Sequence, residues 1–234
     1  VSILNEVGFK DLKADNKYYP KKGDFYSFKN NNKICDLDIT QFNSKDVNYT
    51  TLKRSSLVEF LKEKLFTNSI QFNKKVEKIN YSNSKIEITF ENKATDIFDY
   101  LIIADGVFSL TKSILFSNNI KPKYSGLLAV RTLIQKQGIK FLNENNISLL
   151  LGSKIHLVAY AINTKSEFNL IAIIRKNLNK KDLNDDNFFN DKENIRKFIK
   201  DSSIQKNDGL KNLFDNVKDV KCFPTFISDK IRQS

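Results

Sequence analysis

The residues best suited to chemistry lie in the run Asp99-Tyr100-Leu101-Ile102-Ile103-Ala104-Asp105-Gly106, with Ser109 and Lys112 just behind it. An apolar strand that ends in a carboxylate and a glycine, then enters a helix, sets an acceptor beside exposed backbone N–H groups. Open α/β sheets bind ligands at that carboxyl edge. A glycine serves there because a backbone without a Cβ can pass close to a ligand. Arg54 opens the helical run Arg54-Ser55-Ser56-Leu57. A guanidinium beside a helix N-terminus supplies donors for an anionic group. The plain alternatives are an ordinary strand-exit turn at Asp105-Gly106 and a surface arginine at 54. His156 is the only histidine. It has no partners for a metal, and it reads as a strand residue or a general base.

Several elements must position these groups. Leu57, Phe60, Leu61 and Leu65 recur at three- and four-residue spacing and predict a helix over 51–66, capped by Thr50 or Thr51. A short strand is expected at 70–72. A meander follows, with strands at 76–79 and 85–90 and turns at Ser82-Asn83-Ser84 and Glu91-Asn92-Lys93. Asp96-Ile97-Phe98 leads into Tyr100–Ala104, which is apolar on both faces and predicts a buried central strand. Ser109 to Leu115 reads as a short helix.

Upstream, Gly8 ends a first helix, and strands at 23–28 and 33–39 flank Asn30-Asn31-Asn32 as a hairpin. Downstream, runs at 127–134, 147–151, 155–162 and 169–174 predict an antiparallel sheet with turns at Gly152-Ser153 and Thr164-Lys165-Ser166. Residues 177–194 read as a loop or linker, 194–200 and 210–214 as helices, and 222–226 as a last strand or turn.

Composition narrows the classes. The 234 residues suffice for one large domain or two modest ones, and 40% are hydrophobic, which supports a real core. No apolar stretch nears the about 20 residues of a membrane span, and no signal peptide is visible; a cytoplasmic protein is expected. Cys35 and Cys222 lie far apart and read as free thiols. The net charge of +12, from 39 basic and 27 acidic residues, would suit nucleic acid or an anionic membrane. The lysines are scattered along the sequence, however, so neither partner is expected. The chain starts with Val, contains no Met, and stops at Ile231-Arg232-Gln233-Ser234 without a turn or cap, as an interior fragment would.

Asp99–Gly106 with Ser109 and Lys112 closely resembles the internal Asp-Gly fingerprint of the FAD-dependent aromatic monooxygenases, the p-hydroxybenzoate, salicylate and ubiquinone-pathway hydroxylases. Arg54-Ser55-Ser56-Leu57, followed by Leu61 and Leu65, resembles that family's R-x-x-L helix, one meander upstream of the Asp-Gly run. Gly152, His156-Leu157-Val158-Ala159-Tyr160 and Asn169-Leu170-Ile171-Ala172 resemble its substrate-domain segment, with Ala161 in place of the usual proline. Lys112 stands where the family has Arg, which keeps the charge and loses the bidentate fork.

The resemblance implies a mixed α/β fold: part of a Rossmann-like FAD-binding domain and a mixed or antiparallel substrate-binding sheet. The divisions it suggests are a substrate-side hairpin region at 1–48, a partial FAD-binding domain at 49–116 and the substrate sheet with its helical tail at 117–234. It implies FAD contacts at Arg54, at the Val76 backbone near the adenine, and at Asp105, Gly106, Ser109 and Lys112. Arg131, His156 and Tyr160 fall on the substrate side, and a salt-bridged strand arginine is the alternative at 131. No side chain is required as a catalytic acid or base, and no metal is implied. The implied reaction takes NADH or NADPH and O2 and hydroxylates an aromatic or related small molecule through a flavin C4a-hydroperoxide. A homodimer is compatible with it. The family's G-x-G-x-x-G loop and late Gly-Asp motif are not in this chain, so the segment by itself is expected to be inactive. A same-fold flavin-dependent reductase or halogenase and a basic binding module are the other readings.

Overall fold

The computed structural model describes residues 1–45, 47–66, 69–116, 122–135, 143–185, 187–217 and 219–228. In chain order the elements are α1 (Ser2–Glu6), β1 (Lys17–Tyr18), β2 (Lys22–Ser27), β3 (Lys33–Asp38), β4 (Thr51–Leu52), α2 (Arg54–Glu63), β5 (Val76–Ser82), β6 (Lys85–Phe90), β7 (Thr95–Phe98), α3 (Leu110–Phe116), β8 (Lys123–Gln135), β9 (Asn146–Leu151), β10 (Ile155–Ala161), β11 (Glu167–Arg175), α4 (Lys180–Leu183), α5 (Lys192–Lys200), α6 (Asp208–Asn216) and β12 (Val220–Ile227). They form two compact units, Val1–Lys64 with Gly126–Thr225, and Leu65–Ser125 with Phe226–Ser234. The architecture is mixed α/β, with three sheets among the described residues.

The first unit is built on a seven-stranded sheet of order β12-β8-β11-β10-β9-β2-β3. It is antiparallel from β8 through β11 and β10 to β9, then parallel between β9 and β2. Strict alternation divides its faces. Leu157, Ala159, Phe168, Leu170 and Ala172 are fully buried on one face, while Val158, Tyr160, Asn169 and Ile171 point to the other. The buried face is covered by Ile195, Phe198 and Ile199 of α5 and by Leu210 and Phe214 of α6.

Both covering helices have side-chain caps. Asp191 accepts from the Asn194 N–H at 2.8 Å. Asn207 accepts from the Leu210 N–H and donates to the Phe28 carbonyl at 3.1 Å, which ties α6 to the β2–β3 turn. Gly152 is required by close approach, since a Cβ there would lie 3.0 Å from the Ile155 carbonyl oxygen.

Three expectations fail in this unit. The helix starts at Arg54 rather than 51, and neither threonine caps it. Thr51 instead pairs with Tyr18 in β4 and donates its hydroxyl to the Ala161 carbonyl at 2.6 Å, a buried bond that holds it extended. The 177–194 stretch is mostly loop, as one of its two readings had it, but it is no linker: Asn179 caps α4, and Phe189 packs with Phe188 and Phe198 into the core.

Both cysteines are free, Cys35 exposed and Cys222 buried. Burial pushes the Cys222 thiol up to about 12, so it holds almost no thiolate near neutrality. A colorimetric disulfide reagent at pH near 8 should therefore titrate one thiol quickly in the folded protein and the second only on unfolding. Replacing Cys35 by Ser should remove the fast phase.

The second unit carries the antiparallel meander β5-β6-β7. Asn83 and Ser84 both have positive φ, as a two-residue hairpin turn requires for its twist to match the strands. The segment at 70–72 is irregular rather than a strand. The buried strand expected at 100–104 is likewise not formed. Tyr100 and Ile102 are each 89% exposed, and among the described residues no strand pairs with the run. Without ladder partners, an apolar sequence alone does not hold an extended strand. The chain end at 231–234 lies outside the described residues.

Candidate functional site

In the second unit, Asp105 and Gly106 form an elbow before α3. Gly106 has φ +84°, and no atom lies within 4 Å of where its Cβ would be. Backbone conformation therefore favours glycine here, while the space in front of it is open. The Asp105 carboxylate accepts from the Thr111 N–H at 3.1 Å, and buried Ser109 accepts from the Lys112 N–H at 3.0 Å. The two side chains thereby satisfy N–H groups of the first helical turn. Partial burial raises the Asp105 carboxyl, but hydrogen bonds from Ser109 and Thr111 outweigh it and leave the group below its ordinary value. It is an ionised, solvent-reachable acceptor. Lys112 Nζ donates to the Ser228 hydroxyl at 3.1 Å. Val76 opens β5, against which α3 packs.

In the first unit, Arg54, Arg131 and Tyr160 line one cavity of about 1680 Å³. Its rim is strongly cationic. Lys192, Arg196 and Lys200, spaced i, i+4 and i+8 along one stripe of α5, join Arg54, Arg131, Lys53 and Lys221 against only Asp215 and Asp219 among the described residues. Lys53 is paired with Glu167 at 2.7 Å. A second cavity of about 510 Å³ lies against the open face of the sheet and shares Leu52 and Tyr160 with the first. Asn169 donates to the Tyr160 hydroxyl oxygen at 2.8 Å, which fixes the phenol.

The structure thus brings Asp105, Gly106, Ser109 and Lys112 together in one unit, and Arg54, Arg131 and Tyr160 together in the other. His156 stays apart. It is exposed, pairs with Leu151 and Ile173, and lines neither cavity. Two features escaped the sequence reading. The α5 stripe was visible as a four-residue spacing of basic residues within lysines that otherwise look scattered. The Asn169–Tyr160 bond carried no signal, because it depends on which strands pair.

No family model and no curated protein matches the sequence. Solved structures do match in fold. Klebsiella pneumoniae HpxO, solved with FAD and uric acid, superposes with TM-score 0.80 at 13% identity over 98% of this chain and 57% of its own. A salicylate hydroxylase in complex with substrate gives 0.76 at 14% identity over 98% and 59%. The 2,6-dihydroxypyridine-3-hydroxylase of Arthrobacter nicotinovorans gives 0.73 at 15% identity over 98% and 60%. The chain adopts part of the fold that these proteins share. It spans less than two thirds of the length of each.

Proposed function

We propose that this chain is part of an FAD-dependent monooxygenase that uses NADH or NADPH and O2 to hydroxylate an aromatic or related small molecule. The observation that carries the reading is the fold likeness over 98% of the chain to HpxO, itself solved with FAD and uric acid.

The residues present fit such a cofactor. Asp105 offers an ionised acceptor for a ribityl hydroxyl, and the open space at Gly106 admits a ligand against the backbone. Arg54 supplies donors for phosphate or for the polar edge of the flavin. Ser109 holds the first turn of α3, Lys112 adds positive charge, and the Val76 backbone stands for the adenine side. In this reading the second unit belongs to a Rossmann-like FAD-binding domain, and the sheet of the first walls the substrate. When bound, FAD would supply oxygen activation after reduction by the nicotinamide; the protein binds, orients and excludes water. Tyr160 orients the substrate, Arg131 offers a counter-charge at the cavity rim, and no side chain is needed as acid or base.

The test is the intact protein that contains this chain. It should carry flavin absorbance, consume NAD(P)H with O2, and place one atom of isotopically heavy O2 in its product. Flavin reduction without label in any product points to a same-fold reductase or halogenase. A protein that holds no flavin overturns the proposal.

A further inference from the structure

The two cavities of the first unit differ sharply in charge. We propose that the smaller one selects an uncharged, ring-sized ligand carrying a hydrogen-bond acceptor, and rejects carboxylates of the same size. This rests on reading the sheet as the substrate wall and names the class of ligand taken by the part of that wall that Arg131 does not line.

Its volume of about 510 Å³ is in the range of small-molecule sites, about 300–1,000 Å³. None of the thirteen described residues that line it is charged, in a chain where 28% of residues are. Phe25, Leu149 and Val158 rise from three neighbouring strands to form an apolar floor. A carboxylate bound there would lose its hydration and gain no counter-ion, which is unfavourable by far more than a ring gains from burial.

The polar groups of the wall are largely engaged. Thr51 donates to the Ala161 carbonyl, and Thr50 donates to the Asn48 carbonyl at 2.8 Å. Tyr49 is 47% exposed and solvated. Tyr160 differs. It lines both cavities, and its oxygen accepts from Asn169 of the larger one, so its own proton is left to donate where the two cavities meet. A ketone, ether or neutral carbonyl oxygen is the matching group. Anions are directed instead to the cationic rim of the larger cavity, where Arg131 and the α5 stripe stand.

The experiment uses the intact protein and dimethylamino-acetylnaphthalene, a neutral ring ketone whose emission shifts to the blue in apolar surroundings. Displacement is then measured with acetylnaphthalene, naphthoate and unsubstituted naphthalene. The expected result is a blue-shifted probe displaced by acetylnaphthalene at a concentration about tenfold or more below that of naphthoate. Val158→Asp, which puts a charge on the floor, should abolish the shift. Tyr160→Phe keeps the ring packing and should weaken the ketone by about threefold to tenfold while leaving naphthalene unchanged. That variant decides the matter if Val158→Asp fails to fold by circular dichroism.

Naphthoate displacing the probe as well as the ketone, or a shift untouched by both variants, overturns the inference. An FAD titration of the same samples, read by flavin fluorescence, is a separate arm. Loss of flavin binding there counts against the monooxygenase reading, whereas the probe needs no flavin to report on the cavity.

Discussion

Phe168→Ala should destabilise the first unit by about 3–5 kcal/mol, seen as a lower urea midpoint at an unchanged slope. Phe168 is fully buried. On β11 it lies between Ile134 of β8 and Ala161 of β10. Its neighbour on β10 is already an alanine, so nothing small can swing into the gap, and the strands are held in register from both sides. The loss is then both the transfer of a phenyl ring and an unrelaxed cavity. The contrast is Ile97→Ala on β7, where the side chain is 66% exposed. That change should move the midpoint by no more than about 0.5 kcal/mol. Equal effects at the two sites would mean that the sheet face under α5 and α6 is not the core.

What the sequence made legible follows from local physics. The alternation in residues 155–161 and 167–175 placed both strands and their buried faces, because a period of two is a local signal. Asn83 marked its turn through tolerance of positive φ, and the short helix read from Ser109 onward formed with Ser109 at its start. The failures share a non-local cause. Thr51 has the chemistry of a helix cap, but a carbonyl 110 residues away takes its hydroxyl. Residues 100–104 have the composition of a central strand, yet a strand exists only where neighbours supply a ladder. Phe189 sits in a polar, Asn- and Lys-rich stretch whose average composition hides one ring that packs on α5. The same holds for the site. The Asp105 elbow is local and was found, whereas the convergence of Arg54, Arg131 and Tyr160 on one cavity needed the whole sheet.

Asp105→Ala should weaken FAD binding to the intact protein by about tenfold to a hundredfold, the worth of a hydrogen bond to a charged acceptor. Asp105 also caps α3, so lost affinity alone would not separate ligand contact from damage to the helix. Ser109→Ala supplies the distinction. It removes the other acceptor of that turn together with one hydrogen bond to Asp105; it should cost about 1 kcal/mol of stability and weaken FAD clearly less than Asp105→Ala does. If both substitutions weaken FAD equally, Asp105 acts only through the helix.

The pH dependence gives a second handle. The folded carboxyl is held below its ordinary value by hydrogen bonds that overcome its desolvation. Its contribution to the fold is therefore complete above the unfolded carboxylate range, and is lost as pH falls through the lowered folded value. FAD affinity that depends on this charge should be flat from about pH 5 to 8 and decline only below the ordinary carboxylate range. Asp105→Asn retains an oxygen for the Thr111 N–H and discards the charge, so it should bind FAD weakly at every pH and lack that acid limb. A variant that keeps the limb would place the titrating group elsewhere in the protein.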